Sequence, residues 1–200
     1  MVFLRNKGTI PSRHLMKSLV CSDIHDHVKN LESALMVANT ANCDSVICCG
    51  DICSSFILDV YNTLCNLPFH VIFGNNDGDK FHLTQKASFL NSKRSEENQI
   101  HLHGEFLLAD KGHTLSGIPA EISLAVYHYP QMARVLADSG KYNVVCFGHS
   151  HESSIEKVGD TILINPGSLM GYIAGKEMNH VKPSCVIINW QSGELELIDL

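Results

Sequence analysis

The stretch Ser18–His25, with the sequence Ser-Leu-Val-Cys-Ser-Asp-Ile-His, joins a short apolar run to two polar side chains. Apolar runs of about four to eight residues that are bounded by polar positions are typical of buried strands. Asp23 and His25 follow this predicted strand at once, two positions apart. Because side chains at i and i+2 of an extended segment point the same way, we expect both to face one crevice at the end of the strand.

Further groups of the same kind follow along the chain, and most of them open directly from the end of a predicted strand. They are Gly50-Asp51, Gly74-Asn75-Asn76-Asp77, His128 and Gly148-His149-Ser150-His151. The edge where parallel strands end is the place where α/β sheets build their sites. The sequence therefore predicts that side chains from most of the chain meet in one crevice.

The residue types in these groups are those that bind metal ions. The candidate ligands are Asp23, His25, Asp51, Asn75, His128, His149 and His151. So many nitrogen and oxygen ligands exceed the needs of one tetrahedral ion and suit two divalent ions about 3.5–4 Å apart, bridged by a carboxylate. Such ions lower the pKa of bound water to about 7, so that a bridging hydroxide can attack phosphorus in line with the leaving group. Two divalent ions also outweigh the charge of two carboxylates, which attracts phosphate.

Hydrophobic periodicity predicts alternating strands and helices in the first half of the chain and mostly strands in the second. The predicted helices span residues 28–42, 55–66, 80–92 and 131–139. The predicted strands span 18–21, 45–49, 69–73, 99–103, 105–109, 114–117, 122–128, 143–147, 154–158, 161–165, 185–190 and 194–198. We therefore expect an α/β fold with two packed sheets and helices outside. His101 and His103 are predicted to lie on one solvated face of their strand.

Length and composition indicate one globular domain. The chain has 200 residues, of which 44% are hydrophobic and 18% charged, which excludes the composition of a disordered protein. Residues 1–15 contain no apolar core of a signal peptide, and Met16 stands like a second start before the first strand. We expect residues 1–15 to be a dispensable leader and residues 16–200 to form a single domain.

The net charge and the positions of the cysteines limit the possible binding partners and the cellular compartment. The net charge of −6 gives no basic footprint for nucleic acid or a membrane surface, and no stretch approaches the roughly 20 apolar residues of a membrane span. The eight cysteines include no Cys-x-x-Cys pair, and most lie inside apolar runs. We expect a cytoplasmic protein with a small-molecule partner, and a homo-oligomer is left open.

The ordered series Asp-x-His, Gly-Asp, Gly-Asn-x-Asp, His and Gly-His-x-His, followed by Asn165-Pro166-Gly167-Ser168, resembles the calcineurin-like metallophosphoesterases. Within them it is similar to the small prokaryotic phosphodiesterase branch, from about Met16 to the C-terminus. The resemblance implies a four-layer αββα sandwich of two mixed β-sheets flanked by helices. It implies one metal ion on Asp23, His25, Asp51 and His151, and a second on Asp51, Asn75, His128 and His149, with Asp51 bridging. Manganese is the implied ion, while iron, nickel and zinc are compatible with the same ligands.

Departures from the family pattern refine the expected activity. Asn76 stands where many members have a histidine; it can donate a hydrogen bond to a phosphate oxygen but cannot act as a general acid. Asn76 and Asp77 are the candidate catalytic residues, and esters with good leaving groups are the expected substrates. No Asp-Arg-Gly follows Gly50-Asp51, which argues against a protein phosphatase. Tyr129 follows His128 where the family has glycine, which predicts a narrower pocket mouth.

The function predicted from the sequence is a dinuclear metal-dependent phosphodiesterase acting on a small phosphodiester or nucleotide-like substrate. A phosphomonoesterase is one alternative. A non-catalytic scaffold of the same fold is another, although a degraded site should have lost several ligand types, and none is missing here. A single structural zinc would predict paired cysteine ligands.

Overall fold

The computed structural model describes residues 16–110, 112–173 and 179–200, so the predicted leader, residues 1–15, lies outside the described ranges. The strands within these ranges are β1 (Lys17–Cys21), β2 (Ser45–Cys48), β3 (Phe69–Val71), β4 (Ile100–Leu102), β5 (Phe106–Ala109), β6 (Leu124–Tyr127), β7 (Val144–Cys146), β8 (Ser154–Val158), β9 (Thr161–Asn165), β10 (Tyr172–Ile173), β11 (Asn179–His180), β12 (Ser184–Asn189) and β13 (Leu195–Asp199). The helices are α1 (Val28–Thr40), α2 (Phe56–Leu64), α3 (Lys80–Asn91) and α4 (Pro130–Asp138), with a 3₁₀ turn at Glu96–Asn98.

The first sheet has the strand order β13-β12-β1-β2-β3-β4. Strands β1 to β4 run parallel, so that Cys21 pairs with Cys48 and Cys48 with Val71. Strands β12 and β13 join antiparallel at the other side. The parallel register brings the carboxyl ends of β1, β2 and β3 to one edge of the sheet.

The second sheet has the strand order β5-β6-β7-β9-β8. Strands β6, β7 and β9 are parallel, and the two outer strands, β5 and β8, are antiparallel to their neighbours. Val126 pairs with Cys146, so β6 and β7 end side by side.

Three apolar cores hold the layers together. Helices α1, α2 and α3 pack on the outer face of the first sheet through a core that includes Leu19 and Leu31. The two sheets face each other through a second core that includes Val20 and Val126. Helix α4 covers the outer face of the second sheet through Ala133. The predicted four-layer αββα sandwich of two mixed sheets is therefore confirmed.

The predicted elements differ most from the structure at residues 114–117, where the expected strand does not form. Gly117 has a φ of +77°, and a Cβ atom at this position would lie 2.6 Å from the Asp44 carbonyl oxygen. A left-handed residue in such close contact interrupts an extended strand, because only glycine takes this conformation readily. The hairpin of β10 and β11 was not predicted, since strands of two residues show no periodic pattern.

His101 and His103 do not lie on a solvated face, and that interpretation is wrong. Both are half-buried, and the ring of His101 stacks on that of the buried His70 with 5.0 Å between centroids. His70 Nε2 lies 3.0 Å from the Ser116 carbonyl oxygen, so His70 donates there, and its Nδ1 lies 3.2 Å from His103 Nε2. Burial lowers the pKa of His70 to about 3 and that of His103 to about 4. Both imidazoles are therefore neutral at pH 7.

The eight cysteines carry free thiols, and all except the half-buried Cys53 are buried. Among the described residues, no helix combines the length and the apolar character needed to pass through a lipid bilayer.

Candidate metal centre

The candidate ligands gather where the parallel strands of both sheets end. Asp23 and Asp51 follow β1 and β2, whereas His128 and His149 follow β6 and β7. The loops after β1 and β2 are joined by backbone hydrogen bonds, including one of 3.0 Å from the Asp23 N–H to the Gly50 carbonyl. The crevice therefore lies between the two sheets and receives side chains from each.

The side chains converge through left-handed backbone and not through the extended geometry predicted from the sequence. The φ angle is positive at Asp23 (52°), His25 (42°), Asp51 (58°), His149 (69°) and His151 (61°). Positive φ is uncommon outside glycine, and such backbone costs of order 1–3 kcal/mol per residue. Asp23 and His25 do meet, but the turn of the loop brings them together.

Two glycines allow the loops to approach one another. A Cβ atom on Gly74 would collide with the Asp51 carboxylate. A Cβ atom on Gly148 would collide with the Ser22 hydroxyl and lie 2.7 Å from Asp23 Oδ2. A side chain at either position would displace a candidate ligand, which explains why glycine precedes Asn75 and His149 in the sequence.

Asp23, His25 and His151 form the first group of candidate ligands. Asp23 Oδ1 lies 3.7 Å from His25 Nε2 and 3.2 Å from His151 Nε2, and the Asp23 side chain is fully buried. Burial by itself would raise the pKa of Asp23, but the nearby His151 and His25 imidazoles and the Ser22 hydroxyl outweigh it and hold the pKa well below its ordinary value. The carboxylate is therefore charged at neutral pH.

Asp51, Asn75, His128 and His149 form the second group. Asn75 Oδ1 lies 3.0 Å from His128 Nε2 and 2.9 Å from His149 Nδ1. Asp51 Oδ2 lies 3.4 Å from His128 Nε2 and also 3.4 Å from His25 Nε2, so Asp51 touches both groups. Burial would raise the pKa of Asp51, but the neighbouring His128 imidazole and two hydrogen bonds from Asn76 lower it below its ordinary value.

Backbone carbonyls fix the orientation of two imidazoles. His128 Nδ1 lies 2.8 Å from the Cys49 carbonyl oxygen, and His151 Nδ1 bonds to the Tyr172 carbonyl oxygen. Because a carbonyl oxygen only accepts, each Nδ1 donates, and in the neutral imidazole each Nε2 then keeps its lone pair. This is the arrangement that orients metal-binding histidines in proteins.

The donor set fits divalent metal ions. Within the described residues, the buried atoms without a hydrogen-bond partner include Asp23 Oδ1 and His25 Nε2, which face one another in the crevice. Unpaired buried polar atoms are costly, and a cation between a carboxylate and an imidazole would satisfy both. The sets Asp23–His25–His151 and Asp23–Asp51–His128 each bring three ligand atoms within 4.8 Å of one another.

Asn76 and Asp77, the candidate catalytic residues, occupy different surroundings. Asn76 is exposed, and its Nδ2 donates a hydrogen bond of 2.8 Å to Asp51 Oδ2. Asp77 is 1% exposed and accepts hydrogen bonds from the backbone N–H groups of Asp51, Cys53 and Gly74. Burial raises the pKa of Asp77. Asn76 can therefore reach a ligand in the crevice, whereas Asp77 is engaged with the loops that build it.

Comparison with known protein families assigns the chain to one of them. A sequence model described as the calcineurin-like phosphoesterase superfamily domain matches residues 16–192. This chain belongs to the calcineurin-like phosphoesterase superfamily. The superfamily consists of dinuclear, metal-dependent hydrolases of phosphoric esters, and the crevice of this phosphoesterase holds residues suited to such a site.

Individual relatives agree with this assignment. Phosphodiesterase MJ0936 of Methanocaldococcus jannaschii is 31% identical over 160 residues, which cover 80% of this phosphoesterase and 88% of the relative. A solved structure described as a novel archaeal phosphodiesterase is 28% identical, with a TM-score of 0.73 and coverage of 92% and 100% of the two chains. Vps29 of Entamoeba histolytica, solved in complex with zinc, is 16% identical with a TM-score of 0.57, and covers 92% and 98%. The likeness to Vps29 shows the fold alone.

Two further residues, Cys53 and Ser168, contact the candidate ligands of the phosphoesterase, and the sequence carried different amounts of information about them. Cys53 Sγ lies 3.6 Å from His25 Nδ1, on the side of the ring away from Asp51. The Ser168 hydroxyl donates to the Asp23 carbonyl over 3.1 Å, which ties the loop Asn165–Ser168 to the crevice. The sequence marked that loop by its Asn-Pro-Gly-Ser motif, whereas nothing distinguished Cys53 from the buried cysteines.

Proposed function

We propose that this phosphoesterase cleaves small phosphodiesters with two divalent metal ions. Asp51 carries the proposal, because its Oδ2 atom lies at the same distance, 3.4 Å, from the Nε2 atoms of His25 and His128 in the two ligand groups. A carboxylate in that position can bridge two ions. The names of the two most similar proteins described above, both phosphodiesterases, support the diester as substrate.

The assignment of ligands follows the two groups. One ion would be held by Asp23, His25, Asp51 and His151, and the other by Asp51, Asn75, His128 and His149. Asp23 and Asp51 would supply negatively charged ligands. His128 and His151 would each supply an uncharged nitrogen ligand through the oriented Nε2 atom.

The chain's own residues then bind and orient the substrate. The bound ions would neutralise charge on the phosphate and lower the pKa of coordinated water to about 7, which supplies the nucleophile. Asn76, exposed beside Asp51, donates a hydrogen bond from its amide to a phosphate oxygen. Asn76 has no proton to transfer, so esters whose leaving groups depart without a general acid are favoured. Asp77 acts as a positioning residue that holds the loop of Asp51.

Manganese is the proposed ion, because carboxylate and amide oxygens suit it, although iron, nickel and zinc also accept the imidazoles. The buried free thiols support a reducing cytoplasm as the compartment.

Hydrolysis by metal-stripped protein reconstituted with Mn²⁺ tests the function. Bis(p-nitrophenyl) phosphate should be cleaved faster than p-nitrophenyl phosphate, and turnover should require the metal. Asp51→Asn should lower kcat/KM by about 100-fold or more, since losing even an outer partner of a metal ligand costs about 10–100-fold. Asp138→Asn is the matched control, because Asp138 is exposed on α4 and pairs with Arg134.

Two results would count against this function. Absence of metal-dependent turnover, or an undiminished Asp51→Asn variant, would overturn the enzymatic assignment and leave the fold as a scaffold. Faster cleavage of the monoester would overturn only the assignment of phosphodiesters as the substrates.

A further inference from the structure

One side of the candidate site's mouth is aromatic. Tyr129 directly follows His128 and is 37% exposed. Its ring centroid lies 5.2 Å from that of His128 and 5.0 Å from that of His149, with interplanar angles of 74° and 62°. Edge-to-face contacts of this kind are favourable and fix the ring. An exposed aromatic ring is thus held against two candidate metal ligands.

The local structure gives Tyr129 no other role. It occupies the N-cap of α4, where a Ser, Thr, Asp or Asn would bond to the first turn, and its side chain makes no capping bond. Tyr129 also takes no part in the three apolar cores that hold the sheets and helices together. Neither capping nor core packing accounts for a large aromatic side chain at this position.

Two further rings extend the aromatic surface away from the ligands. The ring of Tyr127 lies 6.0 Å from that of Tyr129, and Phe106, the cross-strand partner of Tyr127, lies 6.0 Å from it. Phe106 is 36% exposed on β5, the outer strand of the second sheet. Tyr129, Tyr127 and Phe106 therefore form an aromatic strip that runs from the crevice to the edge of the sheet.

We propose that Tyr129 is a stacking platform for a planar ring of the substrate, and that the substrate is a phosphodiester of a nucleoside. This inference rests on the proposed phosphodiesterase function. A phosphate held near His128 and His149 would place one of its ester groups beside Tyr129, because the Tyr129 ring contacts both imidazoles. Bases stack on exposed aromatic side chains without hydrogen-bond readout. The net charge of −6 favours a small nucleotide ester over a polymer of nucleic acid.

Two esters with the same leaving group test the platform on the metal-loaded full chain. They are the p-nitrophenyl ester of thymidine 5′-phosphate and methyl p-nitrophenyl phosphate. The ratio of their kcat/KM values reports recognition of the nucleoside, since both release nitrophenolate. We expect the native chain to prefer the thymidine ester, and Tyr129→Ala to lower this preference by about 5- to 150-fold, mainly through KM. Tyr129→Phe keeps the ring and should keep the preference.

Competitive inhibition gives a second measure. The native chain should bind thymidine monophosphate more tightly than inorganic phosphate, as judged by the ratio of the two inhibition constants. Tyr129→Ala should reduce this ratio by a similar factor. An unchanged preference in Tyr129→Ala, or an equal loss on both esters, would overturn the platform and leave the phosphodiesterase function standing. Absence of metal-dependent turnover of both esters by the native chain would overturn the proposed function and the platform with it.

Discussion

The Oδ2 atom of Asp77 accepts a hydrogen bond of 2.9 Å from the backbone N–H of Asp51. The same carboxylate accepts from the backbone N–H groups of Cys53 and Gly74, each over 2.7 Å. One buried side chain therefore satisfies three loop amides and joins the loop after β2 to the loop after β3. These two loops carry Asp51 and Asn75, so the position of the candidate ligands depends on Asp77.

Replacing Asp77 should weaken both the fold and the site. Asp77→Ala leaves three loop amides without their acceptor, at about 1–3 kcal/mol each, so we expect the free energy of unfolding in urea to fall by about 3 kcal/mol or more. Asp77→Asn keeps one acceptor oxygen and should lose less. Asp79→Asn serves as the control, because Asp79 is the exposed N-cap of α3 and asparagine caps equally well. A fully stable Asp77→Ala variant would contradict the role of this carboxylate.

The buried His70 should make the protein less stable in mild acid. The unfolded chain binds a proton on this histidine near pH 6.5, and the folded chain only near pH 3, so the free energy of unfolding falls as pH drops through this window. At about 1.4 kcal/mol per pH unit, His70 accounts for a loss of about 2 kcal/mol between pH 7 and pH 5. Urea unfolding at the two pH values measures this loss.

A variant isolates the contribution of His70. His70→Gln should show a smaller loss of stability between pH 7 and pH 5 than the native chain, and His82→Gln, on the exposed face of α3, should show the same loss as the native chain. Equal losses in all three proteins would show that His70 does not carry the effect.

A methyl group at position 148 should disturb the metal centre. In Gly148→Ala the new Cβ collides with the Ser22 hydroxyl and approaches Asp23 Oδ2, so Asp23 must move. We expect Mn²⁺ affinity, measured by isothermal titration calorimetry, to fall by about 10–100-fold, as for other losses of support around metal ligands. Gly78→Ala is the control, since no atom lies within 4 Å of a Cβ at that position. Native affinity in Gly148→Ala would rule out this close approach.

A histidine at position 76 should widen the range of leaving groups. Asn76→His places a group that can transfer a proton beside Asp51, and general acids contribute about 10²–10⁴-fold to the cleavage of esters that need them. We expect kcat for an alkyl ester to rise by about tenfold or more, with little gain on a nitrophenyl ester. Asn76→Ala, which removes the amide without adding an acid, should show no such gain. A similar gain on both esters would point away from proton transfer.

The sequence carried more information about which residues meet than about how they meet. Asp23 and His149 could be identified because each follows an apolar run, and the carboxyl ends of parallel strands share an edge. The left-handed backbone at both residues has no signature in the amino-acid sequence, since a positive φ depends on the hydrogen bonds and contacts of the folded loop. Asp77 had the composition of a turn, and its acceptance of three backbone N–H groups arises only when two loops pack.

The histidines show the same limit. His101 and His103 alternate along a strand, which favours one shared face, but the sequence alone could not show that this face packs on His70 from the neighbouring strand. Tyr129 was visible as a departure from the family pattern, whereas its contact with His149 required the two loops of the second sheet to be placed side by side.

The division of the candidate ligands between the two sheets sets the order in which a newly synthesised chain acquires them. Asp23, His25, Asp51 and Asn75 leave the ribosome first, and His128, His149 and His151 follow, ahead of β12, which completes the pairing of β1. The ligands that emerge first are mostly oxygen donors, which suit hard ions. Three of the four imidazoles of the whole site emerge last. The balance of oxygen and imidazole ligands in the finished site is therefore a property of the complete chain, while an unfinished site presents three oxygen ligands and a single imidazole.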